Sequence, residues 1–140
     1  MIQFGDGTFK RGVPKLYYGI ADVRDVATAH INAGYTPEAS GRHIVASAET
    51  TLLHIASILR RHFGKSYPFP RKEAPKLLFW LIAPLLGYTR AYVRRNVGIA
   101  IKLDTSYSKK DLGITFIPIE QTVTEHFQQI LDDGLLVKKR

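Results

Sequence analysis

The sequence contains no cysteine. Disulfides, thiolate zinc sites and cysteine nucleophiles are excluded with it. It also lacks a long apolar run. A bilayer span needs about 20 apolar residues, and the longest run here, Leu77 to Leu86, is interrupted by Pro84. No charged start followed by an apolar core marks a secretory signal. Phosphate-cradling loops place glycines between a strand and a helix. Gly5, Gly7 and Gly12 have neither the spacing nor a preceding strand. There is no G-x-S-x-G nucleophile elbow.

The histidines are His30, His43, His54, His62 and His126, and none has an acidic or histidine partner at metal-ligand spacing. No metal ligand is assigned. His30 is placed on the buried side of its helix as a hydrogen-bonded structural residue. A tyrosine with a lysine four residues on could serve in proton transfer, because a nearby ammonium favours the phenolate. Tyr67 is followed at that spacing by Arg71 across two prolines, and Tyr88 by Tyr92. No catalytic residue is assigned.

What is present fits one globular domain. The chain has 140 residues, 45% apolar and 23% charged. Twenty basic residues against 12 acidic give a net charge of +8. That balance permits nucleic acid, an anionic surface or an anionic substrate. The cations come in small groups, Arg60-Arg61, Arg94-Arg95, Lys109-Lys110 and Lys138 to Arg140. This is the pattern of solvated helix faces and helix C-termini, so no nucleic-acid partner is expected. A cytoplasmic location is the default.

The expected organisation is a single lobe over 1–140. Residues 1–15 form an irregular leading segment, 16–134 an α/β lobe and 135–140 a basic tail. Leu16 to Ala21 is aromatic and β-branched and reads as a strand. Asp22 caps the helix that follows, with Asp25 as its capping-box partner. Val26, Ala29, His30 and Ala33 share one face of that helix. Arg42 to Ala46 reads as a short strand. Thr50 or Thr51 caps the next helix, whose buried stripe is Leu52, Ile55, Ala56, Leu59 and Phe63. Gly64 stops it.

Residues 66–75 carry Pro68, Pro70 and Pro75 and read as loop. Lys76 to Leu86 is helical and nearly apolar all round, so it is buried, covers something, or lies on a membrane surface. Tyr88 to Asn96 and Ser106 to Leu112 read as short helices. Ile99 to Leu103 and Thr115 to Ile117 read as extended. Val123, Phe127, Ile130 and Leu131 mark a last amphipathic helix. Asp22, Arg24 and Asp25 form the one compact ionisable group at a strand-to-helix junction, where α/β proteins place ligands. Capping and ligand contact both remain open for them.

These motifs resemble a known family. D-V-R-D-V-A-T-A-H-I-N-A at Asp22 to Ala33 and P-x-A-S-G-R-H-I-V at Pro37 to Val45 are similar to the C-terminal half of the extended short-chain dehydrogenase/reductases. The similarity is to the branch of dihydroflavonol 4-reductase, cinnamoyl-CoA reductase and bacterial aldehyde-reductase-like proteins. Asp104-Thr-Ser106 with Asp111-Leu112-Gly113 resembles the family's D-x-S-K…E-L-G helix, with Tyr107 in place of the lysine. F-x-P-I-E-Q-T-V then leads into the terminal helix. The resemblance covers roughly Lys10 to Leu136.

It implies an α/β fold: the C-terminal, substrate-binding lobe of an NAD(P)-binding Rossmann-type enzyme, without the N-terminal nucleotide-binding half. The family's glycine-rich loop, catalytic serine or threonine and Y-x-x-x-K pair lie upstream of the matched region. NAD or NADP is therefore expected in the complete enzyme, and neither cofactor binding nor catalysis from this chain alone.

In relatives the strand entering the DVRD-like motif lines the substrate pocket. That implies substrate contact for Tyr18, Gly19 and Ile20, and more weakly for Asp22 and Arg24. Sugar-nucleotide epimerases of the superfamily place an arginine near the position of Tyr18 and an R-x-G-D motif before the aspartate matching Asp104. Here stand Tyr18 and Val97-Gly98-Ile99. The resemblance thus implies a small carbonyl substrate that is apolar or aromatic. Leu77, Leu78, Phe79, Trp80 and Leu81 would suit a lid, a peripheral membrane contact or plain core. The competing readings are a non-catalytic binding or interaction module derived from the family, and a basic nucleic-acid-binding domain.

Overall fold

The computed structural model describes residues 1–136. The last residues of the basic tail, 137–140, lie outside the described residues. The elements in chain order are α1 (Ile2–Gly5), β1 (Tyr17–Ile20), α2 (Val23–Tyr35), β2 (Ala48–Thr51), α3 (Leu52–Phe63), α4 (Lys76–Ile82), a 3₁₀ turn (Ala83–Leu86), α5 (Arg90–Asn96), α6 (Ser106–Leu112) and α7 (Ile119–Asp132). The chain groups into two compact units. The first comprises Met1–Tyr17, Thr50–Ala100 and the chain from Val123 on; the second comprises Tyr18–Glu49 and Ile101–Thr122.

The first unit is built on α3 and the buried side of α7. The Thr51 hydroxyl accepts from the His54 N–H at 3.2 Å, so α3 starts where a β-branched hydroxyl can satisfy one free donor. Ile55, Ala56, Ile58 and Leu59 are buried on it. Gly64, at φ +64°, ends it. Phe127 of α7 is fully buried. It packs on Phe63, Tyr67 and Phe69 at centroid distances of 4.9, 5.3 and 5.4 Å.

The proline loop after α3 is held from the leading segment. Val13 donates to the Lys72 carbonyl at 3.2 Å and accepts from the Ala74 N–H at 2.8 Å. The leading segment is therefore more ordered than its glycines suggest. It contains the helical turn α1, with Phe4 buried against Phe9 at 5.3 Å.

The apolar stretch after the loop does not become core all round. Phe79 and Ala83, four residues apart, face inward onto Leu16, Val93 and Val97. Leu77, Leu78, Leu81, Ile82, Leu85 and Leu86 are exposed, Leu85 to 88%. Of the residues expected at a membrane, Phe79 is thus corrected to core and Trp80 is half-buried beneath Arg90, whose guanidinium lies 4.6 Å from its ring centroid. The Lys76 ammonium donates to the Val97 carbonyl at 2.7 Å and the Arg94 carbonyl at 3.2 Å, closing the C-terminus of α5.

The second unit packs α2 against α6 around Ala29, Leu112 and Ile114. Its strand content is small. β1 and β2 pair in a two-stranded sheet. The extended runs expected at Arg42 to Ala46, Ile99 to Leu103 and Thr115 to Ile117 form no ladder. Side chains take backbone groups there that a neighbouring strand would otherwise take. Glu49 accepts from the Leu103 N–H, Asp25 accepts from the Ile117 N–H at 2.9 Å, and the Ser108 hydroxyl donates to the Ile44 carbonyl at 2.5 Å.

Candidate functional site

The strand-to-helix junction is a densely hydrogen-bonded polar region of the second unit. β1 exposes Tyr18 and Gly19 and half-buries Ile20. Gly19 has a steric reason to be glycine. A Cβ there would stand 2.4 Å from Leu103 Cδ1 and 3.7 Å from the Ala46 Cβ, so Leu103 occupies the space that any other side chain would claim. The Ile20 carbonyl accepts from the Ser47 N–H at 2.7 Å and from the Ser47 hydroxyl at 3.0 Å, which fixes the end of the strand.

Asp22 follows, buried to 4% exposure. Its Oδ1 accepts from the Arg24 N–H at 3.0 Å and caps α2. The Arg24 side chain closes a fork on the same carboxylate, Nε to Oδ1 at 2.8 Å and Nη2 to Oδ2 at 2.9 Å. The Thr122 hydroxyl adds a fourth hydrogen bond at 2.8 Å. The Arg24 side-chain hydrogen bond leads in holding the Asp22 carboxyl far below the usual carboxylate range. The Arg24 N–H and Thr122 act in the same sense, against the opposing effect of burial. Asp22 is thus a permanent anion at neutral pH. It can orient Arg24 but cannot donate a proton.

Asp25 is buried as well, and its carboxylate serves the Ile117 N–H. The buried face of α2 therefore runs through Asp22, Asp25 and Ala29, about one position round from the apolar face expected from spacing. His30 is corrected to an exposed residue whose Nδ1 lies 2.7 Å from the Val26 carbonyl.

A second polar group escaped the sequence reading. His43 Nε2 lies 2.5 Å from Asp111 Oδ2. The His43 ring stacks on Tyr107 at 4.8 Å and an interplanar angle of 5°. The Tyr107 hydroxyl donates to the Ser40 carbonyl at 2.8 Å. The residue that departs from the family's lysine thus has a local structural job. His43 and Asp111 are 68 residues apart, and no periodicity links them. Asp104 accepts from the Ser106 hydroxyl at 2.6 Å and N–H at 2.9 Å; these bonds, the hydroxyl's first, lower its pKa. Among the described residues no group of three or more potential ligands is placed to hold a metal ion. None of the helices there is long and apolar enough to cross a membrane.

Sequence and fold comparisons point in one direction. No family model matches the chain. Cinnamoyl-CoA reductase 1 of Petunia hybrida is 32% identical over 115 residues, which is 82% of this chain and 29% of that protein. The NADPH-dependent methylglyoxal reductase GRE2 of Saccharomyces cerevisiae is 32% identical over 120 residues, 85% of this chain and 31% of that protein. The crystal structure of yeast methylglyoxal/isovaleraldehyde reductase Gre2 with NADPH superposes with a TM-score of 0.64 at 28% identity. It covers 92% of this chain and 34% of its own. The chain spans about a third of the length of the relatives it matches.

Proposed function

From a chain similar in sequence and fold to a C-terminal part of the extended short-chain dehydrogenase/reductases, we propose that it is the substrate-side lobe of an NAD(P)-dependent carbonyl reductase. The observation that carries the reading is the likeness to reductases over most of this chain and only a third of theirs. In the proposed complete enzyme, NAD(P)H delivers hydride to a carbonyl carbon. This chain contributes the wall against which the carbonyl compound lies.

Tyr18, Gly19 and Ile20 form that wall. Asp22 fixes the direction of Arg24, whose side chain is about half exposed, at 51%. An exposed aromatic ring beside a glycine suits an apolar or aromatic aldehyde or ketone. The test joins this chain to the nucleotide-binding part of yeast methylglyoxal reductase and measures NADPH oxidation with aldehydes of graded apolar size. The expected result is turnover that favours aromatic aldehydes and a KM that rises about tenfold for them in Tyr18→Ser. Equal KM values in both proteins would remove Tyr18 from the site. NADPH-dependent turnover by the isolated chain would overturn the assignment of catalysis to sequence outside it.

The exposed leucines support a second reading, peripheral contact with an anionic membrane. Leu77, Leu78, Leu81, Leu85 and Leu86 stand out on α4 and the turn after it. From Ala74 to Ala100 there is no carboxylate, while Lys76, Arg90, Arg94 and Arg95 are cationic. An apolar ridge with a cationic rim fits an anionic lipid surface. Sedimentation with phosphatidylserine-containing vesicles tests it. Binding that disappears in Leu81→Glu/Leu85→Glu supports the contact, and absence of binding by the unaltered chain sinks it.

A further inference from the structure

The first unit carries a cationic concavity that the reductase reading does not use. Its volume is about 470 Å³, and its lining includes Lys10, Arg60, Lys65, Arg71 and Lys72 and no carboxylate. The five cations come from three separate stretches of chain: a turn of the leading segment, the end of α3, and the proline loop. A solvated helix face would draw them from one element, so helical spacing does not account for the cluster.

Three of the five are anchored through their backbone or side chain. The Lys10 N–H donates to the Gly7 carbonyl at 3.0 Å. Arg60 Nη1 donates to the Pro70 carbonyl at 2.8 Å, tying α3 to the loop. The Lys72 carbonyl is held by Val13, and Phe69 and Pro70 beside it are buried. Among the described residues no carboxylate pairs with any of the five. Like charges converging on one hollow repel, and a hollow lined by one sign concentrates field on whatever enters it. Arginine adds a planar fork matched to phosphate oxygens, and lysine a compact charge.

We infer that this concavity binds a small molecule carrying two or more phosphate groups. A single phosphate dianion would leave most of the cationic charge uncompensated, and the volume lies within the range of small-ligand sites. The site lies wholly within the first unit, so it stands or falls independently of the substrate wall on β1.

Inorganic pyrophosphate is the probe, titrated calorimetrically into the full chain at low ionic strength. Saturable binding is expected. It should weaken about tenfold in Lys65→Ser/Lys72→Ser, through loss of two charge-assisted contacts. Lys109→Ser, which removes a cation of the second unit, should leave it unchanged. Circular dichroism checks that each variant is folded. Lys65→Arg/Lys72→Arg, which keeps the charge, should retain binding. Failure of pyrophosphate to bind overturns the proposal, as does equal weakening by Lys109→Ser, the sign of diffuse charge. A single-stranded oligonucleotide that displaces pyrophosphate with affinity growing with its length would assign the hollow to nucleic acid and overturn the small-molecule ligand.

Discussion

The two units hold themselves together by different means. The first surrounds Phe127 with Phe63, Tyr67 and Phe69 and relies on aromatic packing. The second has a small apolar cluster of Ala29, Leu112 and Ile114, and surrounds it with buried polar ties. Asp22, Asp25, Ser108 and the His43–Asp111 pair each bind a specific distant group. Packing is nondirectional and indifferent to pH. Charged ties are directional, and they weaken when a carboxylate takes up a proton. The unit that carries the candidate substrate wall is therefore the more exactingly positioned, and in Asp22, whose carboxyl is held below its usual range, it has a tie that acid releases.

The largest expected effect tests the aromatic side of this contrast. Phe127→Ala should cost about 4 kcal/mol, by lost transfer energy and a cavity the neighbouring rings cannot fill. Urea denaturation would measure it, and the loss should be the same at pH 5 and pH 7. A strong pH dependence would show that the first unit also leans on titrating groups.

Next comes Asp22→Asn, at about 2 kcal/mol at neutral pH, for the loss of charge-assisted bonds to Arg24 and Thr122. Here pH matters. The folded carboxyl titrates below its unfolded counterpart, so its contribution is complete above the ordinary value of 3.8 and declines as pH falls below it. The stability gap between the unaltered chain and Asp22→Asn should therefore be full at pH 7 and narrow progressively below about pH 4. A gap that stays constant into acid would mean that the charge contributes nothing.

A smaller effect, about 1 kcal/mol, is expected for Gly19→Ala. The new methyl group meets the flexible end of Leu103, which can rotate aside. A chimera with the nucleotide-binding part of a reductase should show a changed preference among aldehydes before it shows a loss of fold. The smallest effect belongs to Leu85→Glu. Leu85 is 88% exposed, so stability should move by less than about 0.5 kcal/mol. Its stability measured alone would sharpen the contrast between a residue that packs and one that faces outward.

The helices were the legible part of the sequence. α2 starts at the Asp22 carboxylate, α3 starts at the Thr51 hydroxyl and stops at Gly64, and α7 carries the apolar spacing of Val123, Phe127 and Ile130, signals that act within a few residues. The strands were less legible. Arg42 to Ala46 has the composition of a strand but no partner strand, and its surroundings are set by Ser108 and Asp111, more than 60 residues on. α4 shows a related limit. Composition left it buried, covering something or lying on a membrane surface, and only the contacts of Phe79 and Ala83 reveal which side is covered. At the strand-to-helix junction, local spacing marked Asp22 and Arg24 as one ionisable group. It could not find Thr122, 100 residues away, or Leu103 resting over Gly19.

The Lys76 ammonium, bonded to the last carbonyls of α5, has a consequence for motion. α4 and α5 have seven residues each, too few for an isolated helix to persist in water. Each depends on the other, and one side chain from the first turn of α4 stitches it to the end of α5. Their amides should therefore exchange with solvent deuterium as one cooperative group rather than fray separately. Replacing Lys76 with methionine, which keeps the stem and removes the bonds, should speed exchange across both helices together while leaving α3 and α7 at their original rates.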